Sequence, residues 1–230
     1  MNILEFFPDL WNKSSRAVHL DEEAKIYLIA QWILDTDWKW LKRNPLIYPE
    51  DCQKLLVAVH EKYNIIWSHG GYGEDRSRLW HDTYLDQLEA WHHLGIDINV
   101  PAGTELISPV SGKVIVSDHD NDHPNAPQEH GWGHRLIIHP WESRYALIMA
   151  HLSDDTRRKV GDLVKRWDQL WTIGNPIQNG GWFEHFHVQA IAMEHLEELI
   201  QNWELHKLDG YAPWMDEEVQ KIYPNPLYTF

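Results

Sequence analysis

Cysteine is almost absent from this chain: Cys52 stands alone. One thiol excludes an intrachain disulfide and rules out a zinc site built on thiolates, so any metal centre must be made from His, Asp and Glu. Positive charge is also scarce. Twenty Lys and Arg stand against 35 Asp and Glu, a formal net charge of −15. That balance argues against nucleic acid and anionic membrane as partners, because both are held by basic residues that neutralise phosphate. Long apolar runs are missing as well: no stretch approaches the ~18 apolar residues of a membrane span. The N-terminus, Met1 to Leu10, carries Glu5 and Asp9 where a secretory leader carries basic residues. The reading is a cytoplasmic protein.

What is present is enough apolar material for a packed core, 43% of 230 residues, and a change of character near residue 68. Before it the periodicity is helical. Asp21 opens a run with Ile26, Ile29, Ala30 and Ile33 at three- and four-residue steps, and Pro49 opens another with Leu55, Leu56 and Val59. The segment Ser68 to Arg76 is rich in glycine and reads as a loop. From His93 to about Ile191 the pattern is β: short alternating runs at 96–100, 105–108, 113–117, 135–139, 145–151, 161–165, 170–173 and 185–191, punctuated by turn residues. A closing helix with Leu196, Leu199 and Ile200 on one face precedes an irregular Pro224-Asn-Pro226 stretch. The expected architecture is α+β: a helical N-terminal region (1–67), an antiparallel β-sheet or sandwich core with its leading glycine-rich loop (68–192), and a C-terminal helix and tail (193–230).

Within the β region three segments carry chemistry: His93-Leu-Gly-Ile-Asp97, Ala150-His151-Leu-Ser153 and Glu184-His185-Phe-His187-Val188. Alternate side chains of an extended strand share a face. His93 and Asp97 then point one way, as do His185 and His187, and Gly95 leaves the space between the first pair clear. Two such strands side by side offer His93, Asp97 and one histidine of the 185/187 pair to one cation. Three protein ligands and an open position make a catalytic zinc site rather than a closed structural one.

The order H-x-G-x-D, a strand ending in H-L-S, G-D-x-V, then H-x-H resembles the lysostaphin-type (LytM-like) zinc metallopeptidases over roughly residues 93 to 191. Linking phrases fit too: 100–104, 109–114, 160–164 and 172–175, with Asn179-Gly-Gly-Trp182 and Gly70 to Arg76 matching a subset. The resemblance implies one zinc ion held by His93, Asp97 and His187. It places His151 and His185 beside the reacting water and the scissile carbonyl, and implies peptide or peptidoglycan-derived substrates. The sequence departs from the pattern at Glu184, Phe186, Met149 and at Trp167, which occupies a turn where glycine is usual.

Other arrangements fit less well. His60-Glu-Lys-Tyr-Asn64 starts like a helical H-E-x-x-H and ends without the second ligand. Glu184 faces away from His185 in a strand, and Phe186 on that opposite face reads as core. His60, His92, His139, His195 and His206 read as hydrogen-bonded structural histidines, and Asp118 to His123 as a solvated hairpin loop. Trp182, beside Gly180 and Gly181, is the candidate substrate contact, and Arg76 a candidate for gripping a substrate carboxylate. The rival functional readings are a non-catalytic peptide- or protein-binding module that keeps the fold, and a cupin-like metal protein. The latter needs a downstream glutamate ligand that Glu194 supplies poorly.

Overall fold

The computed structural model describes residues 3–7, 18–19, 48–77, 88–122, 131–155 and 158–230. The expected helix around Ile26 to Ile33 lies outside them. Helix α1 spans Pro49–Tyr63. Pro49 gives up no intrahelical bond at the first turn, and Glu50 and Asp51 complement the N-terminal dipole. Asn64 ends the helix in the left-handed region at φ 50, its N–H on the His60 and Glu61 carbonyls. Leu55, Leu56 and Val59 are buried as their spacing predicts.

Among the described residues the strands are β1 (Val18–His19), β2 (Ser68–Gly70), β3 (His92–His93), β4 (Gly95–Asn99), β5 (Glu105–Ile107), β6 (Gly112–His119), β7 (His134–Pro140), β8 (Tyr145–Leu152), β9 (Leu163–Val164), β10 (Gln169–Thr172), β11 (Phe186–Ala192) and β12 (Tyr211–Ala212). Eight form one sheet in the order β1-β2-β4-β11-β8-β7-β6-β9, antiparallel throughout except at β1 and β2. β5 pairs with β10 and β3 with β12 in two small ribbons. Helices α2 (Met193–Gln201), α3 (Glu217–Ile222) and α4 (Pro226–Thr229) follow the sheet. The protein is α+β with a predominantly antiparallel core.

Both faces of the sheet are covered. Ile96, Ile98, Leu136, Ile138, Met149, Phe186 and Val188 pack on one side with Leu106 and Trp171 of the β5–β10 ribbon and with Phe6 and Phe7. Ile137, Ile148 and Ile191 pack on the other with Leu196 and Leu199 of α2 and with Leu208. Double coverage explains why β8 reads as a nearly continuous apolar run. Phe186 is core, as expected. Its neighbour His187 therefore leaves β11 on the α2 side.

Four expectations need correction. The first three residues of the glycine-rich segment are strand β2, whose Ser68, His69 and Gly70 pair with Asn99, Ile98 and Asp97; without them the edge of β4 would leave its peptide groups unpaired. The stretch from Asp118 is a solvated loop only in part: Asn121 and Asp122 are exposed between β6 and β7, and His123 lies outside the described residues. β6 runs through His119, Asp118 grips Arg135 at 2.8 and 3.0 Å, and Asp120 is buried, accepting the Trp132 N–H at 2.6 Å. Ile200 is 36% exposed and lies off the buried face of α2. The final prolines are not wholly irregular, because Asn225 caps α4 by accepting the Leu227 N–H. Among the described residues no helix is long and apolar enough to cross a membrane.

Candidate metal centre

Asp97 on β4 and His187 on β11 are directly opposed in the antiparallel register. Side chains so placed start about 5 Å apart at Cβ on one face, and His187 Nδ1 reaches Asp97 Oδ1 at 2.9 Å. His93 arrives by another route. The extended run expected through 93–97 is broken by a bend at Leu94 between β3 and β4. The His93 main chain is instead fixed by bonds to Gly73 (2.7 Å) and Glu74 (3.0 Å) and by pairing with Tyr211 of β12. Its Nε2 stands 3.3 Å from Asp97 Oδ1 and 3.2 Å from His187 Nδ1. Ligands about 2.0–2.1 Å from a tetrahedral first-row cation lie about 3.3 Å from one another, so these three donor atoms fit such an ion. Among the described residues they form the one group of this kind whose ligand atoms all lie within 4.8 Å of each other.

Gly95 acts as the alternation suggests. A Cβ there would stand 2.5 Å from the His187 ring and 2.6 Å from the Val188 carbonyl, so only glycine lets the imidazole pass over β4.

His151 and His185 complete the cluster. Their ring centroids are 4.2 Å apart, His151 lies 6.0 Å from His187 by the same measure, and His185 Nε2 is 3.8 Å from Asp97 Oδ1. His151 adopts φ 64, the left-handed region that L side chains rarely occupy, and its N–H and C=O are tied to Trp132 and Gly174 at 3.0 and 2.9 Å. Such a conformation persists only where its surroundings enforce it.

In each of the four rings the outer nitrogen meets an oxygen acceptor. His93 Nδ1 lies 3.0 Å from Gly71 O, His151 Nδ1 2.8 Å from Asn179 O, His185 Nδ1 2.8 Å from Phe183 O and His187 Nε2 3.1 Å from Gln189 Oε1. The Gln189 amide is itself oriented by donating to Asp209 O at 3.0 Å. An acceptor oxygen requires an N–H, which puts the proton of His151 and of His185 on Nδ1 and leaves Nε2 of each with a lone pair; His93 Nδ1 also meets the Arg76 Nη2 donor at 3.1 Å, and His187 Nδ1 also meets Asp97 Oδ1. Burial, helped by the Arg76 cation, pulls the His93 imidazole down to about 4. Burial pulls His185 to about 4 and, with His185 and His187 nearby, holds His151 well below the usual range. At neutral pH these three rings are uncharged and able to accept. Burial of Asp97 alone would raise its pKa, but the Arg76 cation and the imidazoles around it outweigh that and hold it well below the usual carboxylate range.

Two expected substrate contacts are placed elsewhere. Arg76 is 3% exposed and spends its guanidinium inside: Nη1 on Asp97 Oδ2 and the Tyr211 hydroxyl, both at 2.8 Å, and Nη2 on Glu74 at 3.0 Å. It backs a candidate ligand instead of facing a ligand-binding cleft. Trp182 is 9% exposed and donates its indole N–H to Gly131 O at 2.9 Å, tying two turns together. Its size and burial make it packing. Glu184 turns its carboxylate to the Ala102 N–H, which it accepts at 3.0 Å. His60, His92 and His139 bond Ser68, Pro213 O and Ser143 O as structural histidines do.

Gln189, Asn179, Trp132 and Tyr211 were not anticipated. Trp132 stands edge-on to His187 with centroids 5.2 Å apart, and the Tyr211 ring lies 5.3 Å from His93. Gln189, two residues beyond His187 on the same strand face, was the one that period-two spacing would have reached.

No family model and no curated protein matches the chain by sequence. Its structure is similar to that of lysostaphin in solution (22% identity, TM-score 0.37, over 44% of this chain and 37% of that one). It is similar also to a zinc-containing peptidase from Vibrio cholerae (30%, TM-score 0.36, 44% and 28%) and to LytU (31%, TM-score 0.36, 44% and 62%). The chain thus spans under two thirds of the length of each of these three.

Proposed function

We propose that this chain is a zinc-dependent hydrolase of peptide or related amide bonds, with His93, Asp97 and His187 as the metal ligands and His151 and His185 as the proton-handling pair. The observation that carries the reading is the shared orientation of four imidazoles. Each meets an oxygen through its outer nitrogen, and His93 Nε2, His187 Nδ1 and Asp97 Oδ1 stand within 3.3 Å of one another with His151 and His185 beside them. Structural histidines are satisfied one at a time by nearby acceptors. Four rings converging on Asp97 instead fit a coordination shell with acceptors beside it.

Zinc in such a site polarises a carbonyl and brings the pKa of an attacking water near neutrality. The chain's own residues supply the rest. His93 and His187 would hold the ion through Nε2 and Nδ1, and Asp97 would hold it through Oδ1 while Arg76 occupies its second oxygen. His151 and His185, with Nδ1–H already committed, have only Nε2 with which to take the water's proton. Once protonated, the same atom can hydrogen-bond the developing oxyanion or return the proton to the leaving amine. The sequence resemblance points to peptidoglycan-like or small peptides as the substrate class.

The test combines metal analysis with turnover. The purified chain should bind one zinc, His187→Ala should lose it, and His151→Ala should keep it. A panel of D-amino, oligoglycine and ordinary dipeptides should be cleaved by the zinc-loaded protein and not by His151→Ala. Zinc bound without turnover of any peptide would favour a binding module. Unchanged metal content in His187→Ala would remove the assignment altogether.

A further inference from the structure

The turn between β10 and β11 contains a fully buried amide, Asn179. None of its bonding capacity faces the cluster, and all of it is used locally. Oδ1 accepts the Trp182 N–H at 2.9 Å, and Nδ2 donates to Phe183 O at 2.9 Å and to Gly174 O at 3.4 Å. Its own carbonyl accepts from His151 Nδ1, and the Phe183 carbonyl accepts from His185 Nδ1. The acceptors that orient both proton-handling imidazoles are therefore both tied to one residue: one is the Asn179 main-chain carbonyl, and the other is the Phe183 carbonyl that the Asn179 side chain grips.

The backbone around it is clamped. A Cβ on Gly133 would come 2.5 Å from the Asn179 carbonyl carbon, and one on Gly180 would come 2.4 Å from Gly131 O. The Gly131 N–H bonds Gly180 O at 3.0 Å, and Trp132 O accepts the His151 N–H at 3.0 Å. The segment that fixes the His151 backbone is thus packed against the segment that fixes its ring.

We infer that Asn179 is a positioning residue that holds His151 and His185 in the Nδ1–H tautomer and sets their mutual geometry. The inference rests on the proposed hydrolytic reading for its catalytic consequence, though not for its structural one. Asn179→Asp is the informative change, because a carboxylate still accepts from Trp182 but cannot donate to Phe183 O.

The experiment reads tautomers directly by long-range proton–nitrogen correlation on labelled protein. In the wild type His151 and His185 should be Nδ1–H. In Asn179→Asp and Asn179→Ala the His151 and His185 signals should move to mixed tautomers while those of His93 and His187 stay. Zinc affinity should hold within about 3-fold. On a peptide the wild type cleaves, kcat should drop by ~10–100-fold with KM nearly unchanged, the usual range for loss of a supporting hydrogen bond. Unmoved tautomers in folded variants, or kcat equal to wild type, overturn the inference. Should neither variant fold, the wild-type spectrum alone decides: Nε2–H at His151 or His185 overturns it. Absence of wild-type turnover would sink the hydrolase reading, while the tautomer comparison would still judge Asn179.

Discussion

Arg76 takes one oxygen of Asp97 and leaves the other to the imidazoles: Nη1 lies 2.8 Å from Oδ2, while Oδ1 faces His93 and His187. A carboxylate held this way can give only one atom to an ion. The guanidinium also carries Glu74 at 3.0 Å and is itself nearly inaccessible. Removing one member of a buried ion pair costs about 3–5 kcal/mol, because the remaining charge stays desolvated. Arg76→Met should therefore lower the free energy of unfolding in urea by about that amount, and adding Glu74→Gln should recover part of it. A loss below about 1 kcal/mol would mean that the pair contributes as little as a surface one.

Gly95 supplies a second, sterically simple prediction. In Gly95→Ala the new methyl meets the His187 ring and the Val188 carbonyl at 2.5 and 2.6 Å. The carbonyl belongs to a paired strand and cannot retreat, so the ring must. Overpacking of this kind costs about 1–3 kcal/mol, and displacing a ligand ring should weaken zinc binding by at least about 10-fold. Chelator competition on the refolded variant measures it. Unchanged affinity would show that His187 is not where the ion binds.

The β core was legible because its strands alternate or run apolar between clear turn signals. The meeting of Asp97 with His187 was legible because both sit on strands where spacing fixes the face. His93 was reached for an incomplete reason, since a bend at Leu94 and the 73–74 loop, not one continuous strand, aim its ring. Arg76 and Trp182 misled because a long polar or aromatic side chain beside glycines looks alike whether it faces solvent or folds inward. Only the partners decide, and those come from residues 21 and 135 positions away for Arg76 (Asp97, Tyr211) and 51 away for Trp182 (Gly131). Asn179 acts through carbonyl oxygens, which leave no trace in a sequence.

Acid should unfold the metal-stripped protein early. His93 and His185 are depressed to about 4 from an ordinary 6.5, both chiefly by burial. Between those values the unfolded chain binds protons that the folded chain refuses. Stability therefore rises with pH across that window, by up to about 1.4 kcal/mol per pH unit for each group. His151, also held well below the usual range by burial, adds to the loss. Urea midpoints of the chelator-treated protein at pH 4.5, 5.5, 6.5 and 7.5 should climb and then level off. Replacing His93 and His185 by Gln should flatten the climb. A flat profile in the unmodified chain would mean that these imidazoles titrate in the fold as they do in the unfolded chain.

Trp167 tests whether a departure from the family-like pattern carries a backbone cost. It sits at φ 77 and is 54% exposed, with its N–H on Ser108 O at 2.8 Å and the Arg166 guanidinium 4.9 Å from its ring. A side chain with a Cβ pays roughly 1–2 kcal/mol for a left-handed conformation, and glycine does not. Comparing Trp167→Gly with the wild type would mix that gain with loss of the cation–ring contact, itself about 0.5–1 kcal/mol at an exposed site. Comparing Trp167→Gly with Trp167→Ala removes the contact from both sides and leaves the backbone. Greater unfolded-state freedom of glycine offsets part of the difference, so the glycine variant should be the more stable by about 1 kcal/mol in urea denaturation. Alanine equal to or above glycine would mean that the turn relaxes out of the left-handed region once the indole is gone. The conformation would then be imposed by the tryptophan's packing and not by the Ser108 bond.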